Sequence, residues 1–323
     1  MADLRFDGRV AVVTGGGRGL GRAYALLLAA QGAKVVVNDP GGTLDGCGVG
    51  DGGDTGPAHD VVREITGAGG HAVASTASVA TPEGGRAIID TACERFGGID
   101  ILVHNAGIVR RASLKDMSYQ DFDAVLDVHL RGAFHVVRPA FPMMCEAGYG
   151  RIVLTSSIGG LYGNHDVANY AVAKAGVIGL SNVAAMEGAA HGVKSNVIVP
   201  AAVTRMAEGI DTSAYPPMGP ELVAPVVGYL SHESCSATGE MFIALAGRVA
   251  TAAVTESPGV YRPSWTIAEV GAHLDAIRDR TEPVTFPVVP DGHNDHIRYS
   301  FAMAAAMSRS GEEQTAPQGA VNA

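Results

Sequence analysis

The chain has little of what an exported, membrane-spanning or nucleic-acid-binding protein relies on. Its 323 residues include one tryptophan and four cysteines, Cys47, Cys93, Cys145 and Cys235, far apart and with no CxxC pair. That spacing indicates neither a disulfide framework nor a zinc knuckle, so no metal is expected and the reducing cytoplasm is the expected compartment. No run of about 18 apolar residues occurs, and the opening MADLRFDGRVAVVTGG lacks the charged and apolar regions of an export signal. Positive charge is also in deficit: 23 Lys and Arg against 33 Asp and Glu give a formal net charge of −10. Such a chain offers no general surface to nucleic acid or to an anionic membrane, and the expected ligand is a small molecule.

What is present is a pattern. Apolar residues make up 47% of the chain, enough for a full core. Short β-branched runs, Val10–Val13, Val35–Asn38, His71–Ser75, Ile101–Val103, Ile152–Thr155 and Val197–Val199, alternate with helix-period stretches such as Leu20–Gln31, Gly84–Phe96, Tyr119–Met144 and Asn169–His191. Parallel strands need crossovers of that length, so the pattern predicts an α/β fold, a doubly wound parallel sheet with its ligand site beyond the carboxyl ends of the strands. The Gly- and Asp-rich stretch Pro40–Pro57 reads as a surface loop inserted after the second strand. Past Gly247 the alternation weakens. Residues 1–247 are expected to form the ligand-binding and catalytic domain, and residues 248–307 an extension with one amphipathic helix, Ser264–Arg280. The polar residues 308–323 are expected to be a frayed tail.

TGGGRGLG, Thr14–Gly21, puts Gly15, Gly19 and Gly21 between a strand and a helix. Glycine there gives the turn its freedom and lets main-chain N–H groups at the positive helix end approach a pyrophosphate, which points to a dinucleotide. Asp39 follows 18 residues after Gly21, at the end of the second strand, where a carboxylate can accept both hydroxyls of an adenosine ribose. It also repels a 2′-phosphate, by roughly 3 kcal/mol per like-charge pair at about 5 Å and an effective dielectric near 20. Arg18 in the glycine turn works the other way, and the balance favours NAD over NADP.

TSSIGGLYGNHDVANYAVAK, from Thr155 to Lys174, carries the chemistry. Tyr170 and Lys174 lie four apart on a predicted helix and project side by side, with Ser157 just past a strand end. Only about one free tyrosine in a thousand is ionised at neutral pH; a lysine ammonium and an oxidised nicotinamide nearby favour the phenolate. Tyr170 can then take the proton of a substrate hydroxyl while hydride passes to NAD, with Ser157 bonding the same oxygen and Lys174 also holding the nicotinamide ribose.

With the NAG of HNAG at Asn105–Gly107, these residues resemble the short-chain dehydrogenase/reductase family from about Phe6 to Gly247. GRAYALLLA, VVVNDPGG, DVHLRGAF, LYGN, ANYAVAKAG and VAPVVGYLSHESC are similar to one subgroup. It comprises the (3R)-hydroxyacyl-CoA dehydrogenase units of the peroxisomal type 2 multifunctional enzymes, also called type 4 17β-hydroxysteroid dehydrogenases, and their free-standing bacterial relatives. The resemblance implies a single Rossmann-type domain with a C-terminal extension. It implies dinucleotide contacts at Leu20, at Ser78 and Val79, at Asn105, Ala106 and Gly107, and at Pro200, Val203 and Thr204. It implies NAD-dependent oxidation of a (3R)-3-hydroxyacyl-CoA, with an acyl chain that in some relatives carries a steroid skeleton. The alternatives are oxidation of a free steroid alcohol at the 17β position and a non-catalytic NAD-binding sensor or assembly protein. A homodimer or homotetramer is implied as well.

Some residues depart from the family pattern. His129 stands where the family has an asparagine whose main-chain carbonyl holds a relay water; its ring is either core packing or an acid/base group. His104 replaces the first Asn of the family's NNAG, which should alter strand packing under the adenine rather than chemistry, and Ala77 replaces an acidic adenine contact. Arg110, Arg111 and Arg205 are candidates for the phosphates of coenzyme A. Met206–Gly219 falls where the family has a substrate lid. His232 and Cys235 in SHESC read as a packed loop.

Overall fold

β-branched side chains are stiff at χ1 and fit a pleated surface packed on both faces, and valine-rich runs make the sheet here. The computed structural model describes residues 4–48, 55–204 and 214–315. Its strands are β1 (Val10–Thr14), β2 (Lys34–Asn38), β3 (His71–Ser75), β4 (Ile101–His104), β5 (Gly150–Thr155), β6 (Val193–Ala201), β7 (Met241–Leu245) and β8 (Arg248–Ala252). They order 3-2-1-4-5-6-7-8 in one sheet, parallel except for β8. The winding reverses between β1 and β4, and this opens a crevice at their carboxyl ends.

Alternate residues of each strand face opposite layers. Val13, Val35, Val37, Val103 and Ile198 pack on one face with Tyr24 and Leu28 of α1 (Gly19–Ala30), Ile65 of α2 (Pro57–Gly67) and Val227 of the helix Ala224–Ser231. Val12, Val36, Leu102, Ile152 and Leu154 pack on the other, against α3 (Pro82–Phe96) and the helices that follow β4 and β5. Burial of each such side chain contributes about 1.5–3 kcal/mol.

The stretch predicted as one helix, Tyr119–Met144, is instead α4 (Tyr119–Leu126), a π-helical segment Asp127–Arg131, and α5 (Gly132–Ala147). A short α6 (Ile158–Tyr162) follows β5. Then comes α7 (Ala168–Gly188), whose first residues carry the Tyr170–Lys174 pair. Gly247, taken as a boundary from the sequence, lies inside a hairpin. Ala246 and Gly247 both have positive φ, 48° and 80°, the geometry of a two-residue turn that sends β8 back along β7. The first compact unit therefore runs to Ala252, after α8 (Ala224–Ser231) and the hairpin.

The second unit begins at Ala253. Its predicted helix Ser264–Arg280 is two shorter ones, α9 (Ile267–Ala272) and α10 (Leu274–Arg278), with a Thr266–Glu269 capping box at the start of the first. Helix α11 (Gly292–Thr315) runs into the stretch expected to fray, because FAMAAAM at 301–307 has high helix propensity. Residues 316–323 lie outside the described residues.

Between β1 and α1 the chain turns through Gly15 and Gly19 at φ of 61° and 51°, left-handed backbone that glycine adopts without strain. Gly21 is required for space: a Cβ there would run into the Gly15 carbonyl and lie 2.7 Å from Asn105 Nδ2. Gly21→Ala is expected to lower stability by about 1–3 kcal/mol through backbone displacement, read as a lower urea midpoint at unchanged m-value.

Candidate active site

The crevice beyond β1 and β4 is a cleft of ≈ 1050 Å³ of empty space, partly open to solvent. Gly15, Arg18, Gly19, Leu20, Asp39 and Thr204 line one side, with Ser78, Val79, Asn105, Ala106 and Gly107 around the rest. A second cavity adjoins it, lined by His129, Thr155, Tyr170, Lys174, Pro200 and Val203, and Leu20, Asn105 and Thr204 belong to both walls. Gly21 lines neither; it packs beneath the turn.

At the first end, Asp39 is held by two main-chain donors: Gly17 N–H to Oδ2 at 3.2 Å and Gly41 N–H to Oδ1 at 2.9 Å. Arg18 donates to the Gly42 carbonyl at 3.1 Å, so its guanidinium is engaged with the inserted loop. The described part of that loop, residues 40–48, is tied down. Val109 N–H donates to Leu44 O at 3.0 Å and Arg110 Nε–H to Asp45 O at 2.9 Å, while Gly42, Thr43, Leu44 and Gly46 complete the cleft wall. A stretch expected to be plain surface loop thus closes the nucleotide end, a role its Gly and Asp content does not signal.

The arrangement fits a dinucleotide. The helix end, the glycine turn and Asp39 supply N–H donors and a carboxylate in one cradle. Buried polar atoms without a protein partner among the described residues include Asn38 Oδ1 on the first wall, and Thr155 Oγ1 and His129 Nδ1 in residues lining the second cavity.

At the second end, Ser157 caps α6, its Oγ accepting from Gly159 N–H at 3.1 Å, and the same hydroxyl faces the Tyr170 phenol. Lys174 is 2% exposed and its Nζ lies 5.6 Å from the centroid of the Tyr170 ring. Its ammonium donates to Thr155 O at 2.6 Å. Burial pulls the Lys174 pKa down to about 7. Burial also raises the Tyr170 pKa above its ordinary value, against the pull of the Ser157 hydroxyl and the Arg111 guanidinium. The protein alone therefore does not acidify the phenol as the Tyr–Lys spacing suggests: desolvation outweighs the Ser157 hydrogen bond and the Arg111 charge.

His129 is buried in the π segment. Its ring stands edge-on to Tyr170, centroids 5.1 Å apart at 85°, and its Nε2 lies 3.0 Å from Ile108 N and 2.8 Å from Ile108 O. Burial, with Lys174 nearby, lowers its pKa well below the usual histidine value and keeps the ring neutral. His104, expected under the adenine, lines neither cavity and bonds Thr14 and the His129 carbonyl instead.

Asn169 was not singled out by the sequence, although its place beside Tyr170 is a signal. Fully buried, it donates from Nδ2 to Arg110 O at 3.0 Å and Asp121 O at 3.1 Å, and its Oδ1 accepts from Tyr170 N–H at 2.7 Å. Ser156 donates to Lys174 O at 2.6 Å from the β5 side. Arg110 is engaged with Asp45 O and, at 3.1 Å, with Asp121, whereas Arg111 is exposed with no ion pair among the described residues. Arg205 and much of Met206–Gly219 lie outside the described residues; Tyr215 and Met218 line the second cavity. His232 stacks edge-on against Phe6 and bonds Ser234 and Arg5 O, and Cys235 is buried in the core.

The model for the short chain dehydrogenase family matches residues 9–213. A peroxisomal multifunctional enzyme type 2 of Drosophila melanogaster is 51% identical over 263 residues, 81% of this chain and 43% of the relative. The chain thus spans less than half the length of that protein. The hydroxyacyl-CoA dehydrogenase ChsB1 of Mycobacterium tuberculosis is 41% identical over 256 residues, 73% of this chain and 77% of the relative. The crystal structure of a short chain dehydrogenase from Mycobacterium avium superposes with a TM-score of 0.75 at 42% identity, covering 84% of this chain and 94% of that one. With its parallel sheet, glycine turn and Ser–Tyr–Lys set at the strand ends, the chain belongs to the short-chain dehydrogenase family of oxidoreductases.

Proposed function

We propose that the protein oxidises (3R)-3-hydroxyacyl-CoA to 3-oxoacyl-CoA with NAD. The observation that carries this reading is the buried Lys174 beside Tyr170 in a cavity that shares its wall with the glycine-turn cleft, with the hydroxyl of Ser157, which lines neither cavity, facing the phenol. When bound, oxidised NAD supplies the hydride acceptor and a positive ring near the phenol. Ser157 holds the C3 oxygen by a hydrogen bond. Tyr170 takes the hydroxyl proton as the C3–H bond breaks and the carbonyl forms. Lys174, anchored on Thr155 O, sets an amine beside the phenol that carries positive charge below its lowered pKa of about 7. The name of the Mycobacterium tuberculosis relative, a hydroxyacyl-CoA dehydrogenase, supports the acyl-CoA class, and Asp39 with both oxygens on main-chain donors supports NAD over NADP. Among the three arginines considered for coenzyme A, Arg111 has its guanidinium unpaired among the described residues and is assigned to the phosphates. Four free cysteines support a reducing compartment such as the cytoplasm. No helix among the described residues is long and apolar enough to cross a membrane. Phe134, Val172 and Val183, about half exposed on α5 and α7, support a homodimer or homotetramer joined there.

Turnover of a panel of 3-hydroxyacyl-CoA thioesters of rising bulk, beside free 17β-hydroxysteroids, tests the substrate class. Thioester turnover with idle steroids supports the reading; steroid turnover alone overturns it. Tyr170→Phe is expected to lower kcat by about 10²–10⁴-fold with dinucleotide binding retained, and full NADH production by that variant would rule out the proton route. Burial raises the phenol pKa, so the small base fraction grows as pH rises: kcat for alcohol oxidation should climb from about pH 6 to about pH 9, whereas kcat for ketone reduction, which uses the protonated phenol, should stay level over that range. Asp39→Asn should raise the NADP-to-NAD ratio of kcat/KM by about 100-fold, the equivalent of one like-charge pair. Arg111→Ala should raise KM for a CoA thioester about 2- to 5-fold, as for an exposed ion pair, and leave KM for the matching pantetheine thioester unchanged.

A further inference from the structure

Thr14 and His104 end β1 and β4 opposite one another in the sheet register, and both are fully buried. Thr14 Oγ1 accepts from Asn105 N–H at 3.1 Å and Ala106 N–H at 3.2 Å. A hydroxyl has two acceptor positions and one proton. With both positions taken, that proton goes to the remaining neighbour, His104 Nδ1, at 2.9 Å. Nδ1 is therefore bare and the ring proton sits on Nε2, which lies 3.3 Å from the His129 carbonyl. Burial, with the Lys174 ammonium nearby, lowers the His104 pKa to about 3, so protonation does not disturb this tautomer near neutral pH.

The receiving carbonyl belongs to the π segment, whose wider turn departs from the regular α-helical bonding pattern on either side. The same residue's ring stands edge-on to Tyr170 and rests on the Ile108 main chain. The links run from the Asn105–Ala106 turn through Thr14 and His104 to His129, and from there by ring contact to the phenol. The Thr14 hydroxyl proton is directed at His104 Nδ1, and the His104 ring proton at the carbonyls of the π segment, His129 O and the neighbouring Val128 O.

We propose that His104 is a positioning residue for Tyr170: its Nε2 proton on the His129 carbonyl holds the π segment, and the ring packed on the phenol, in register with the turn that lines the dinucleotide cleft. This rests on Tyr170 as the proton carrier of the proposed reaction. It gives His104 a part in the chemistry through its neighbours, where the sequence suggested only packing under the adenine.

Two measurements test it. In the ¹⁵N-histidine-labelled protein without ligand, His104 is expected to show an unprotonated Nδ1 and a protonated Nε2 from about pH 6 to about pH 9. A protonated Nδ1 overturns the proposal, whatever the substrate. His104→Gln keeps one acceptor and one donor, whereas His104→Leu fills similar space with neither. The Leu variant should lose at least about 10-fold in kcat, with dinucleotide Kd and substrate KM within about 3-fold, and the Gln variant should stay within about 3-fold of the parent. The Leu variant should also move the apparent pKa of the kcat profile, which a loss of folded protein leaves in place. Wild-type kcat and pH profile in His104→Leu, or equal losses in the Leu and Gln variants, overturn the proposal. If the Leu variant does not fold, the tautomer together with the kcat of the Gln variant decides: a Gln variant more than about 3-fold slower than the parent overturns it. An active Tyr170→Phe enzyme would sink the proposed reaction instead. An inactive Tyr170→Phe beside an unchanged His104→Leu would sink this inference alone.

Discussion

Removal of the Lys174 ammonium from water is the constraint around which the site is arranged. A buried charge costs several kcal/mol unless it is paired, and no carboxylate pairs with this one among the described residues. Its bond to the Thr155 carbonyl offsets part of the cost, and the remainder appears as a pKa drawn down to about 7. The same charge, together with burial, keeps His104 and His129 neutral, so the polar groups around it act as fixed dipoles rather than competing bases.

The backbone on either side of this lysine is clamped to match. Ser156 reaches from the end of β5 to the Lys174 carbonyl, while the ammonium reaches back to Thr155, so strand and helix hold each other at two points. One turn earlier, Asn169 ties the start of α7 to Arg110 and Asp121. Arg110 in turn holds the inserted loop that walls the nucleotide end. Hydrogen bonds of this kind set geometry more sharply than apolar packing does, because each tolerates only a narrow range of directions. The two ends of the cleft are thereby tied together at the strand ends, with Leu20, Asn105 and Thr204 common to both.

Tyr170 shows the difference between a proximity argument and an energetic one. Its spacing from Lys174 puts the two side by side, and they are. Proximity alone suggests an acidified phenol, yet burial is the largest influence and raises its pKa. In the proposed reaction the ionised form would then depend on charge that a bound cofactor brings to the cavity.

Features set by neighbours in the chain were legible beforehand. Strand and helix alternation, the glycine turn, Asp39 at a strand end and the helical spacing of Tyr170 and Lys174 all follow from local periodicity or backbone freedom. Decided only in three dimensions were the π segment inside a regular helical pattern, the hairpin that carries the sheet past Gly247, the engagement of Arg110 by the inserted loop, and the hydrogen-bond partners of His104. Each of these depends on hydrogen bonds or burial contributed by residues brought together by the fold. Sequence periodicity records which face a residue occupies; it holds no information on which donor, acceptor or charge the fold will set against that face.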